Sequence, residues 1–457
     1  RRQRQMCIRD SSNATWGSNI TNHDDFLNKL KADSTFGNLF NGATTVQDVL
    51  AVICKWSNSD DNSIAFARFV CKYLYPTADA NPTHAAIGNH TLHFDDAGYY
   101  LIVDTTDFSD GDSYVAYNSF MLTVTQANWD VDVTPKVEKP SVKKEVYDNH
   151  DGTSNTEGFS SSADHAINEP FQFKLTATLP ASTYKAYAYY DEYTVTFHDT
   201  LSEGITFDRL DKVEITNGDG STPQVINENK YTLYSDSSPF TLGIDDVKTC
   251  VSGIDLNKGA TITVTYTAHL NEKAYVNTAT NGDTKNTNKV YLTYSNNPRI
   301  NTSVGRTPES EVYVFTYQLN NTKRQNTEDG PVLEGAGFRL YSDAACNDTD
   351  EIKLKKNTTD GTYSRDFSTD AVGVEMKSAA DGTFNVKGLD AGTYYLKETS
   401  TPTGFNTCPV IPVVIKANHT ENHVDLNGST INSKDVGASG LSTTIVNKQG
   451  TTLPSTG

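Results

Sequence analysis

Lys144, Asp199 and Asn296, and again Lys323, Glu398 and Asn447, are polar residues that the local pattern turns toward a core. In a β-strand successive side chains point to opposite faces, so residues two apart share a face. Val142, Lys144 and Val146 share one phase, Tyr193, Val195, Phe197 and Asp199 a second, and Val290, Leu292, Tyr294 and Asn296 a third. Farther along, Phe315, Tyr317, Leu319 and Lys323 agree in phase, as do Tyr394, Leu396 and Glu398, and Ile445 precedes Asn447 at the same spacing. A lysine, an acid and an asparagine are thus aimed inward twice.

Burial disfavours charge, and it acts in opposite directions on these groups. A buried lysine is driven toward the neutral amine, which is a nucleophile. A buried carboxyl is driven toward its protonated form, which can donate a hydrogen bond to an amide oxygen and polarise its carbon. Attack of the amine on the asparagine side-chain carbon, with loss of ammonia, leaves a Lys–Asn isopeptide bond that a domain makes once on itself. A buried Lys–acid salt bridge beside a capping asparagine uses the same residues, and parity leaves both readings open.

The elements that position such residues follow from the rest of the chain. A length of 457 residues is enough for about three domains at roughly 150 residues each. Only 36% of residues are hydrophobic, yet 24 Tyr and 19 Phe are too many aromatics for a disordered polymer. The formal charge of 38 − 57 = −19 repels phosphate backbones and anionic lipid, so no nucleic acid partner is expected. No apolar run approaches the ~20 residues of a membrane span. Six Cys without a Cys-x-x-Cys pair point to scattered disulfides in an oxidising compartment. Neither His-Glu-x-x-His nor Gly-x-Ser-x-Gly occurs, and no cofactor or metal site is expected. The Asp107-Phe108-Ser109-Asp110-Gly111-Asp112-Ser113 stretch reads as a turn rather than a calcium loop.

Apolar residues recur at three- and four-residue spacings over 24–74, which predicts short helices. Cys54 and Cys71 lie in two of them, and antiparallel packing would bring this pair within disulfide distance. After Pro82 the pattern alternates, as strands do, to the end of the chain. Polar, proline-flanked joints at 135–140 and 297–308 divide it. The expected fold is mainly β, with tandem immunoglobulin-like β-sandwiches following an N-terminal domain with short helices. We expect a non-native leader at 1–11, a partly truncated N-terminal α+β domain at 12–136, sandwiches at 137–298 and 299–450, and a terminal segment at 451–457.

Three further motifs carry a resemblance. Gly335-Ala336-Gly337-Phe338-Arg339-Leu340-Tyr341, the stretch from Gly388-Leu389 through Gly392-Thr393-Tyr394-Tyr395-Leu396-Lys397-Glu398-Thr399, and Ile445-Val446-Asn447-Lys448 resemble a collagen-adhesin (CNA) B-type domain of Gram-positive surface proteins. The resemblance implies that Lys323 bonds Asn447 with Glu398 assisting. Phe197-His198-Asp199-Thr200-Leu201 and Tyr294-Ser295-Asn296-Asn297-Pro298 resemble the middle domain of sortase-assembled major pilins. That implies the same roles for Lys144, Asn296 and Asp199, with Lys143 and Asn297 as out-of-phase rivals. In such an extracellular third domain, Cys346 and Cys408 lie in loop-like segments and are predicted to form a disulfide.

Leu453-Pro454-Ser455-Thr456-Gly457 matches the LPxTG sorting motif and lies beyond the last strand, where a transpeptidase can reach an extended segment. A precursor would continue past Gly457. Trp129-Asp130-Val131-Asp132-Val133-Thr134-Pro135-Lys136 resembles the pilin motif, with Thr134 in place of the usual tyrosine, and implies that Lys136 is the acceptor amine. Val137 stands where some relatives carry a bridging asparagine, so no crosslink is expected in the first domain. The implied protein is the shaft subunit of a cell wall-anchored, extracellular pilus, and not an enzyme with turnover. Its implied partners are a class C sortase, identical subunits joined from Thr456 to Lys136, accessory tip or base pilins, and peptidoglycan. The rival reading is a singly anchored adhesin that binds a host ligand.

Overall fold

The computed structural model describes residues 14–17, 19–57, 60–74, 86–87, 91–104, 120–124, 129–132, 139–149, 157–278, 286–437 and 439–450. Helices α1 (His23–Ala32), α2 (Val46–Ile53) and α3 (Asp61–Leu74) occupy the predicted region. Asn22 caps α1 by accepting from the Asp25 amide, and Thr45 with Asp48 forms a capping box on α2. Their apolar faces meet in an aromatic cluster of Phe26, Phe36, Phe40, Trp56 and Phe66. Short strands follow, among which β1 (Thr91–Phe94) pairs with β4 (Trp129–Asp132), and β2 (Gly98–Ile102) pairs with β3 (Phe120–Val124).

The second unit is a two-sheet sandwich. Its main strands are β5 (Ser141–Asp148), β6 (Ser162–Asp164), β7 (Pro170–Leu179), β8 (Val195–Leu201), β9 (Ile205–Asn217), β10 (Phe240–Ile244), β11 (Ala260–Leu270), β12 (Thr287–Ser295) and β13 (Ser310–Phe315). One sheet runs β10-β8-β12-β13-β6 and the other β9-β11-β7-β5, with short strands at their edges. Inward residues alternate strictly, as in Phe171, Phe173, Leu175, Ala177 and Leu179 against Val195 and Phe197.

The third unit contains β14 (Tyr317–Gln325), β15 (Gly337–Tyr341), β16 (Val386–Leu389), β17 (Gly392–Ser400), β18 (Ile411–Ile415) and β19 (Ser442–Asn447). One sheet ends in β16-β14-β19, and the facing sheet runs β15-β17-β18. The fold is mainly β with tandem sandwiches and a helical N-terminal region, as expected.

One expected boundary moves. Residues 304–306 pair with β12, while β13 lies between β12 and β6 in the second sandwich. Residues 299–315 therefore belong to the second unit, and the division falls at Thr316, not after Pro298. The polar composition of 297–308 signals a loop but does not show that the chain returns for one more strand.

The two sandwiches are hydrogen-bonded end to end. Ile167 donates its amide to Gly388 at 3.0 Å, Asn277 to Thr316 at 2.8 Å, and Gln318 to Asn277 at 3.0 Å. Gly388 has φ +75°, and a Cβ there would lie 2.3 Å from Ile167 Cγ1. Gly388→Ala should thus strain both the backbone and the joint, costing about 1–3 kcal/mol. Thermal unfolding of purified variant and parent checks this: the variant should melt lower, and an unchanged transition would refute the tight joint.

Candidate functional site

In the third sandwich the three expected residues converge. Strands β14 and β19 are parallel neighbours with Lys323 opposite Ile445 and Gln325 opposite Asn447, so the lysine and asparagine are diagonal partners on one face. Glu398 enters from β17 in the facing sheet. All three are buried. Lys323 Nζ donates to Asn447 Oδ1. Asn447 Nδ2 donates to Glu398 Oε1 at 2.6 Å, and the same oxygen lies 3.7 Å from Lys323 Nζ.

Glu398 thus lies beside both nitrogens that an isopeptide reaction would use, the Lys323 amine and the Asn447 amide. It sits against the amide nitrogen, not the amide oxygen that the sequence reading assigned to it. One carboxyl oxygen can accept a proton from the amine and return it to the departing ammonia. Its other oxygen accepts the Cys408 amide at 2.7 Å, which holds the carboxyl in place. Burial lowers the lysine's proton affinity against the pull of Cys408 and Glu398, and the Phe338 ring lies 5.3 Å from Nζ.

The second sandwich assembles a related cluster from different elements. Lys144 on β5 and Asp199 on β8 come from opposite sheets and meet directly, Nζ donating to Oδ2. Tyr266, inward on β11, donates its hydroxyl to the same carboxyl oxygen at 3.0 Å and accepts from Nζ at 3.2 Å. Phe173 closes the pocket with its ring 4.9 Å from Nζ. Desolvation lowers Lys144 to about 8 against the attraction of Asp199, and it raises Asp199 against the attraction of Lys144. Both shifts favour moving the proton from the amine to the acid.

The structure does not bring Asn296 to this cluster. Asp199 pairs with Val290, so Asn296 lies six residues farther along, about 20 Å at ~3.3 Å per residue. Its Oδ1 accepts the Ser303 hydroxyl at 2.7 Å. The asparagine at the site is Asn288, two residues from Val290 in the other direction, and it donates to Tyr266 Oη at 2.6 Å. Asn288 is buried, and its Oδ1 accepts no hydrogen bond among the described residues. Residues 288 and 296 share the same phase, so parity selects both equally; only the register of β8 on β12 separates them. Tyr266 was also readable as inward from Val264-Thr265-Tyr266-Thr267-Ala268. The rivals fall away: Lys143 is exposed and pairs with Glu145 at 2.7 Å, and Asn297 accepts the Arg299 amide at 2.9 Å.

The expected Cys346–Cys408 disulfide is not formed. Lys397 Nζ lies 3.5 Å from the Cys346 carbonyl, whereas Cys408 donates its amide to Glu398. Adjacent residues of β17 face opposite sides, so the two cysteines lie on opposite faces of that strand. Burial pushes the Cys408 thiol up to about 12. Cys54 follows α2 and Cys71 lies on the buried face of α3; their disulfide remains a proposal. The acceptor Lys136, the leader and the Leu453, Pro454, Ser455, Thr456 and Gly457 motif lie outside the described residues.

Residues 319–430 match the family model described as the SpaA prealbumin-like fold domain. That stretch contains Lys323 and Glu398, and Asn447 follows it. No curated protein matches the chain. Among solved structures, the T6 backbone pilin of serotype M6 Streptococcus pyogenes, described as a modular three-domain structure, is 16% identical over 85% of this chain and 88% of that one, with a TM-score of 0.50. The full-length major pilin SpaD from Corynebacterium diphtheriae is 20% identical over 78% and 77% of the two chains, with a TM-score of 0.46. The group B streptococcus pilus 2b backbone protein is 23% identical over 64% and 97%, with a TM-score of 0.43. The first of these shows the same overall fold.

The thiol arrangement gives a direct expectation. Denatured without reductant, Cys250, Cys346 and Cys408 should each take up an alkylating reagent. Peptide mapping that recovers Cys346 and Cys408 linked to each other would overturn the assignment to opposite faces.

Proposed function

We propose that this chain is the shaft subunit of a covalently polymerised surface pilus whose second and third sandwiches each close an internal Lys–Asn bond. The observation that carries the reading is Lys323 Nζ in hydrogen-bond contact with the Asn447 side-chain amide, with Glu398 beside both nitrogens in a buried core. The bond would form as Nζ adds to the asparagine Cγ, the Cγ–Nδ2 bond breaks, and Nδ2 leaves as ammonia. One proton passes from the amine to the leaving nitrogen through the carboxyl. Lys144 and Asn288 would follow the same course, with Asp199 and the Tyr266 hydroxyl linking amine and amide.

Each reaction happens once per molecule. The polymer would be built by a class C sortase that cleaves Leu453-Pro454-Ser455-Thr456-Gly457 after Thr456 and passes the acyl group to Lys136 of another subunit. The sorting and pilin motifs support that step, and the tandem sandwich fold shared with a backbone pilin supports the setting. Accessory pilins and peptidoglycan would join the ends. The place of action is the extracellular cell surface.

Intact-mass measurement of the purified chain tests the bonds. Each crosslink should remove the mass of one ammonia, two in all, after correction for disulfides. Glu398→Ala should restore one ammonia and leave the other loss in place. Asn288→Ala should restore the second-domain ammonia while Asn296→Ala changes nothing beyond its own mass. A parent mass equal to that of the sequence would sink both bonds. For polymerisation, boiled cell-wall extract probed for this protein should give a ladder that collapses in Lys136→Ala; a single band in the parent favours the anchored adhesin.

A further inference from the structure

The joint between the second and third sandwiches contains a second polar cluster that the crosslinks do not use. Asp148 ends β5, Asp164 ends β6, and His419 lies in the hairpin formed by Asn418–Thr420 and His423–Asp425 of the third sandwich. All three are buried. His419 Nε2 stands 3.2 Å from Asp148 Oδ2 and 3.4 Å from Asp164 Oδ1. Its Nδ1 is 2.9 Å from Ser162 Oγ, and Tyr317 donates its hydroxyl to Asp164 Oδ2 at 2.9 Å.

We infer that Asp148, Asp164 and His419 form a site for a first-row divalent transition-metal ion, of which Zn²⁺ is the test case, that ties the two sandwiches together. Four observations converge on it. The first is spacing. Direct His–Asp pairs elsewhere in the chain are shorter, 2.7 Å for His269 with Asp208 and 2.6 Å for His93 with Asp130. Ligands bound to one such ion at about 2.0–2.2 Å stand about 3.0–3.5 Å apart, which is the separation His419 keeps from both carboxylates. The second is the buried Asp164 Oδ1, which faces His419 and accepts no hydrogen bond among the described residues.

The third is the orientation of the imidazole and the charge around it. Nδ1 lies 2.9 Å from Ser162 Oγ whichever of the two donates, so Nε2 is the imidazole atom left to face the two buried carboxylate oxygens. A proton on the imidazole brings one positive charge to the two carboxylates, whereas a dication brings two. The fourth is ligand chemistry. One imidazole and two carboxylates suit zinc or its neighbours in the first transition row, while calcium and magnesium call for more oxygen ligands. A groove lined by Ser160, Ser162, His419, Glu421 and His423 borders the cluster, and water entering from it would fill the remaining coordination positions.

Because two ligands come from one sandwich and one from the next, the ion would stiffen their joint, independently of whether either crosslink forms. The test uses the full chain stripped with a chelator, then titrated with Zn²⁺ against a competing metal dye, with Co²⁺ as a spectroscopic substitute. The parent should hold one ion that His419→Gln and Asp164→Asn each weaken by about tenfold or more, with loss of the Co²⁺ ligand-field absorption. Circular dichroism checks that the variants fold. Should His419→Gln fail to fold, Asp164→Asn, which preserves side-chain size and an oxygen for Tyr317, decides alone. Equal Zn²⁺ affinity in the parent and Asp164→Asn, or no Zn²⁺ retained by the parent, overturns the site.

Discussion

The structure depends on two lysine ammonium groups placed where water cannot reach them. Taking such a group out of water costs several kcal/mol, and an adjacent carboxylate repays that cost only with good geometry. Lys323 receives a carboxyl, an asparagine amide and an aromatic ring, and Lys144 a carboxyl, a tyrosine hydroxyl and an aromatic ring. The proposed reaction removes the difficulty at its source. Once the amine becomes an amide nitrogen there is no ammonium left to desolvate, and the acid can keep a proton as a neutral group. The arrangement that is unfavourable as an ion pair is therefore the arrangement that favours reaction.

The two clusters solve the same problem with opposite topologies. Lys323 and Asn447 lie on parallel neighbours within one sheet, and the acid crosses from the facing sheet. Lys144 instead meets Asp199 on β8 of the other sheet, and Asn288, diagonal to Asp199 on β12, joins the cluster through the Tyr266 hydroxyl. A bond in the third sandwich would clamp a sheet edge that already shares a hydrogen-bond ladder. A bond in the second would rivet its two sheets through the core. The longer reach across the core explains why Tyr266 takes part there, since its hydroxyl contacts amine, acid and amide at once.

Much of this was legible in the sequence because strand alternation is a strict period. Lys144, Asp199, Lys323, Glu398 and Asn447 all follow from parity, and so do the sandwiches that hold them. Parity is blind to translation along a strand, which is why Asn296 stood in for Asn288. The pairing of Asp199 with Val290 is a long-range fact, set by how two sheets pack. The boundary at Thr316 was hidden for the same reason: β13 reads as the start of a new domain until its pairing with β12 and β6 is known. The joint cluster was hidden too, because His419 is far in sequence from Asp148 and Asp164 and reaches them only where two domains meet.

Moving the asparagine from 296 to 288 changes how tension would cross the molecule under the proposed bonds. Load entering before β5 passes from Lys144 to Asn288 and bypasses residues 145–287. It then follows the backbone from Asn288 to Lys323, a stretch of 323 − 288 = 35 residues, and crosses to Asn447, bypassing 324–446. That stretch consists largely of β12, β13 and β14, already extended, with Val290, Leu292, Val312, Val314 and Tyr317 buried. β12 and β13 are antiparallel neighbours with Asn288 opposite Val312, so load on this stretch would act to open their hairpin and release residues 289–311. The same stretch carries the joint between the sandwiches, so hydrogen bonds across Thr316 and any ion held by His419 act on the segment that the covalent links leave unprotected.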